Sequence, residues 1–112
     1  MSMKFTIKRG DTLPVLSVTL NSPDTAVDLT TAGSVKFLFR LGTTTLERTG
    51  VVVGAPTLGV VAYTFVDADW DVGEFEDGIY RMEVQITFAD LTILTIPTLG
   101  YAKLVVLPDL GD

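Results

Sequence analysis

The run Ile79-Tyr80-Arg81-Met82-Glu83-Val84-Gln85-Ile86-Thr87-Phe88 constrains this chain more than any other segment. Tyr80, Met82, Val84, Ile86 and Phe88 fall on one side, and Arg81, Glu83, Gln85 and Thr87 on the other. Successive side chains of a strand point to opposite faces, so this is a strand with one buried and one polar face. Such strands belong to antiparallel sheets, because parallel sheets are covered on both sides. Period-two alternation recurs elsewhere. Phe5 and Ile7 alternate with Lys4, Thr6 and Lys8; Leu16, Val18 and Leu20 with Val15, Ser17 and Thr19; Val35, Phe37, Phe39 and Leu41 with Ser34, Lys36, Leu38 and Arg40. Val61, Tyr63 and Phe65 form another face, residues 92–96 and 101–107 are β-rich, and 44–53 give a weaker signal. No helix of length is predicted.

Turn signals separate these runs, among them Gly10-Asp11, Asn21-Ser22-Pro23-Asp24, Gly54-Ala55-Pro56, Asp77-Gly78, Ala89-Asp90, Pro97 and Gly100. About seven short strands at this spacing predict one domain over 1–112, an immunoglobulin-like antiparallel β-sandwich; a small β-barrel is the competing architecture. Proline cannot donate to a ladder, so Pro14 and Pro97 are expected at a strand start, an edge or a bulge. Gly10 to Pro14 then breaks the first strand into two pieces and lets the chain change sheets.

Composition removes most chemistry. The 112 residues include no cysteine, so no disulfide or thiolate metal site is possible. There is no histidine, which removes the usual neutral-pH base and excludes Ser-His-Asp and Cys-His catalysis. The expectation is a non-enzymatic chain without a cofactor. A net charge of −6 disfavours nucleic acid, whose phosphates require clustered Lys and Arg. No run approaches membrane-span length and Met1 to Lys4 do not resemble a signal peptide, so a soluble chain made in a cytoplasm is expected, with no membrane partner.

The most conspicuous polar cluster is Asp67-Ala68-Asp69-Trp70-Asp71-Val72-Gly73-Glu74-Phe75-Glu76-Asp77. Asp67, Asp69 and Asp71 match the opening of a calcium-binding EF-hand loop, and calcium takes six to eight oxygens. The match then fails, with Val72 in the glycine position and Gly78 in the bidentate glutamate position. The preferred expectation is a mobile, solvated loop, with calcium as the alternative. Trp70 reads either as core-edge packing or as an anchor for a partner or a sugar ring. Arg9-Gly10-Asp11 spells an integrin-binding tripeptide. The structural reading is preferred, with Gly10 permitting an unusual backbone angle and Asp11 bonding nearby amides. No phosphate-binding glycine pattern occurs.

Beyond these readings, a set of segments resembles a known family. Phe5-Thr6-Ile7-Lys8-Arg9-Gly10-Asp11-Thr12-Leu13-Pro14, Val27-Asp28-Leu29-Thr30 and Ser34-Val35-Lys36-Phe37 resemble the start of the amino-terminal, immunoglobulin-like module of baseplate upper proteins of tailed bacteriophages. Val61 to Phe65, Gly78 to Val84 and Thr95 to Tyr101 are similar to its later strands, in order. The sequence departs where the family often has Trp (Phe65), in a longer loop at 66–77, and at Leu91, where glycine is expected. The resemblance implies a structural protein of the virion, without enzymatic activity, held between other virion proteins.

The second faces of several strands are apolar. Val15, Leu38, Leu94, Val105 and Leu107 oppose the assigned core, and contiguous exposed apolar area marks an interface. A docking role follows, in a phage tail, baseplate, neck or capsid surface, as a homo-oligomer or multi-copy assembly. The alternative is a small carbohydrate-binding sandwich, with or without calcium, using Trp70.

Overall fold

The computed structural model describes residues 4–21, 25–96 and 102–108. Among the described residues nine strands form an all-β sandwich: β1 (Lys4–Lys8), β2 (Leu16–Thr19), β3 (Ala32–Leu41), β4 (Thr44–Thr49), β5 (Val51–Val52), β6 (Val60–Tyr63), β7 (Gly78–Phe88), β8 (Ile93–Ile96) and β9 (Ala102–Leu107). The larger sheet runs β1-β9-β7-β3-β4, with β8 pairing the far half of β7. The smaller runs β2-β6-β5. The only helical pieces among the described residues are two 3-10 turns, Pro56–Leu58 and Asp67–Trp70.

The alternation of β7 sets the geometry. Tyr80, Met82, Val84 and Ile86 are buried, and their neighbours face out. Val35, Phe37 and Phe39 of β3, Ile7 of β1, and Leu104 and Val106 of β9 share that inner face. Leu16, Val18 and Val61 close the core from the smaller sheet. Fully buried aromatic side chains bury on the order of 150–250 Å² each and dominate such an interior. Here Phe37, Phe39, Phe65, Phe75 and Tyr80 fill it.

The chain changes sheets between β1 and β2, where the sequence predicted a break. Pro14 lies outside both strands, Gly10 has φ +94°, and the Asp11 amide donates to Lys8 O at 3.1 Å. This crossing also corrects one expectation, because the larger sheet is mixed. β1 and β9 run parallel, with Lys4 opposite Lys103 and Lys8 opposite Leu107. Both strands run towards the end of the sandwich where the 9–15 crossing lies, so their directions must agree. All other pairs are antiparallel. Another sheet change occurs at buried Gly50, between β4 and β5, which the weak pattern of 44–53 did not reveal.

Leu94 is also corrected. It pairs with Ile86 and so shares the core face, against which it packs. Its period-two assignment failed because β8 joins β7 through a tight turn, whose register only the pairing fixes. Pro97 lies outside the described residues.

Candidate functional site

The segment after β6 is not solvated throughout. Asp67–Trp70 form a 3-10 turn, and Asp69 within it is 2% exposed. Burying a carboxylate is costly unless it is paired and hydrogen-bonded, and Asp69 is both. Its Oδ1 accepts from Arg48 Nε at 2.7 Å. Its Oδ2 accepts from the Tyr63 hydroxyl at 2.6 Å and the Val66 amide at 2.9 Å. Arg48 also donates through its second terminal nitrogen to Glu74 Oε1 at 2.7 Å. The Arg48 guanidinium sits 5.1 Å from the centre of the Phe75 ring.

Each element delivers its group for a local reason. Arg48 follows Leu46 by two residues on β4 and pairs with Phe37, so it points towards the core. Tyr63 ends β6 with its ring against Phe37 and Phe65. Burial first, then the hydrogen bond to Asp69 and its charge, push the Tyr63 hydroxyl well above the ordinary tyrosine range. Phe75 returns the segment to the core between Phe39, Phe65 and Tyr80. The Tyr80 hydroxyl accepts from the Glu76 amide at 2.7 Å.

Trp70 is half-buried. Its ring stacks on Phe65 at 5.4 Å, and its Nε1 donates to Asp11 O at 3.0 Å. Arg9 donates back to Trp70 O at 3.4 Å. The Arg9-Gly10-Asp11 turn and the acidic segment are thus two sides of one lock at the same end of the sandwich. Gly78, with φ +148°, starts β7 from that end.

Of the three calcium candidates, Asp67 and Asp71 are exposed and Asp69 is committed to Arg48, Tyr63 and Val66. Among the described residues no group of three or more acidic side chains is arranged to hold a metal ion. The arrangement does what a structural latch does: it fixes a surface turn and leaves Asp67, Asp71, Glu76 and Asp77 facing solvent. Sequence reasoning missed Arg48. The available signal was a charged residue two positions after Leu46, on the inward side of β4.

The interaction candidates fall in different places. Val15 lies in the 9–15 crossing and is 39% exposed. Leu38, Val105 and Leu107 all lie on the outer face of the larger sheet. There Val105 sits between Thr6 and exposed Ile79, which the sequence reading had left out. No known protein-family model matches the chain, and no curated protein matches it significantly.

Proposed function

We propose that this chain is a non-enzymatic structural subunit of a tailed-bacteriophage particle, docking in the tail or baseplate, the neck or the capsid surface. The observation that carries the docking role is the apolar strip Val105, Ile79 and Leu107 on the outer face of the larger sheet. Contiguous apolar residues on a surface mark contact sites. The strip lies on regular strands, so its shape is set before a partner arrives. The outer edges of β2 and β5 in the smaller sheet add further pairing capacity.

The strand order supports an immunoglobulin-like reading. β3, β7 and β9 are neighbours in one layer and β2, β6 and β5 in the other, as the C, F, G and B, E, D strands of immunoglobulin domains are. The phage assignment itself rests on the resemblance of the segments from Phe5 to Tyr101. The carbohydrate alternative is the less favoured reading, because the Trp70 ring stacks on Phe65 and its N–H donates to Asp11 O.

Mass spectrometry of purified particles from the phage or prophage that carries the gene tests the assignment. Recovery of the chain at a fixed ratio to the other particle proteins is expected. Particles that lack it, from cells that express it, would overturn the reading.

A further inference from the structure

The pairing register places four basic residues in one straight line. On the outer face of the larger sheet Lys4 is opposite Lys103, Lys103 opposite Arg81, and Arg81 opposite Arg40. All four are exposed. Neighbouring strands lie about 4.8 Å apart, so the row spans roughly 14 Å. Lys8 and Lys36 face out on the same side. This face therefore carries six of the chain's eight basic residues, against only Glu47 and Glu83 among the described residues. The whole chain is −6. Like charges directly opposite one another destabilise a sheet, and Lys4 stands directly opposite Lys103. Among the described residues Lys4, Lys103 and Arg40 form no ion pair.

The same molecule carries the complementary surface. The latch at Asp69 holds Asp67, Asp71, Glu76 and Asp77 outward on a fixed turn, and Val72 at its tip is 99% exposed. The basic row is bordered by the apolar pair Val105 and Ile79. A shallow depression of about 260 Å³ lies between Arg40, Gly42 and Arg81. Carboxylates around an apolar tip match cations beside an apolar strip and a recess.

We infer that the outer face of the larger sheet docks the acidic turn of a second copy of this chain, head to tail. The two surfaces differ, so the contact is heterologous and repeats into a ring or an open array. Nucleic acid is the poorer occupant. The row has no aromatic side chain for bases to stack on, and the rest of the chain repels a polyanion. The inference rests on the docking reading above but is tested separately in the purified chain. A monomeric chain would leave the particle assignment standing, and absence from particles would leave self-association standing.

Sedimentation at physiological ionic strength decides it, using two exposed double variants whose folding is checked by circular dichroism. One is Arg40→Glu with Lys103→Glu; the other is Asp71→Lys with Asp77→Lys. Wild type is expected to gain mass with concentration and to lose that gain in molar salt. Each variant alone is expected to stay at the 12.1 kDa chain mass. Mixed, the intact turn of the first and the intact face of the second should meet once, giving a species of twice the chain mass that grows no further. A monomeric wild type, an unassociated mixture of folded variants, or association of the turn variant alone would each overturn the inference. So would binding of a DNA oligonucleotide by wild type that Arg40→Glu with Lys103→Glu abolishes.

Discussion

Arg48 on β4 and Asp69 in the turn before β7 meet at 2.7 Å, although they stand 21 positions apart in the chain, and Asp69 is almost wholly buried. The pair joins the larger sheet to the connection leaving the smaller one. It converts an acidic segment, which charge repulsion would otherwise loosen, into a fixed surface. Removing one partner of a buried pair strands the other charge, which costs about 3–5 kcal/mol. Asp69→Asn should therefore lower the unfolding free energy by about 3 kcal/mol. Glu74, more exposed, should matter far less: Glu74→Gln is expected to cost under about 1 kcal/mol. Urea denaturation of both variants checks the order, and equal losses would contradict it.

Tyr63 gives the latch a pH signature. Its hydroxyl is raised well above the ordinary value, by burial first and then by Asp69. The unfolded value is about 10. The folded state thus keeps its proton longer than the unfolded state does. That stability is fully present below pH about 10 and is lost as pH rises through the folded value. The urea midpoint should fall above pH about 10, and less steeply in Tyr63→Phe. Tyr80, also raised by burial, supplies the remaining slope. At neutral pH, Tyr63→Phe should cost about 2 kcal/mol through the lost hydrogen bond to a carboxylate. Phenolate absorbance that rises in step for all the tyrosines of the folded protein would contradict this.

Trp70 reports on the junction between the 9–15 crossing and the acidic turn. Trp70→Phe keeps an aromatic against Phe65 but loses the donor to Asp11 O. A loss of about 1 kcal/mol is expected, against about 2–3 kcal/mol for Trp70→Ala. Thermal melting separates the two. Equal melting temperatures for wild type and Trp70→Ala would mean that the ring packs on nothing.

Two left-handed positions should respond in opposite directions. Leu91 has φ +71° in the β7–β8 turn and is 80% exposed, so its side chain gains little there. Leu91→Gly should stabilise by about 0.5–1 kcal/mol. Gly59 has φ +69°, and a Cβ there would lie 2.9 Å from Leu20 O and 3.0 Å from Val27 O. Gly59→Ala should cost about 2 kcal/mol or more. A thermal melt showing the reverse order would refute the backbone assignment of both turns.

The strands were legible because each carries its own signal. The alternation from Ile79 to Phe88 needs no partner to be read, and the glycine and proline at 10 and 14 announce a break without knowledge of where the chain goes next. What could not be read depends on pairing. That β1 lies parallel to β9, that Leu94 faces inward, and that Lys4, Arg40, Arg81 and Lys103 form one row follow from register between distant segments. The acidic segment misled for a related reason. Six carboxylates in eleven residues read as solvated, and only the approach of Arg48 from β4 makes one of them a core residue.

Amide hydrogen exchange over residues 66–75 examines the latch most directly. The Val66 amide donates to Asp69 Oδ2, the Asp69 amide to Val66 O, and the Phe75 amide to Asp69 O. These three amides should be strongly protected in the native chain, and that protection should fall selectively in Asp69→Asn while β7 stays protected. Exchange of all three at the rate of an unstructured peptide in the wild type would show that the segment is the loose acidic loop its composition predicts.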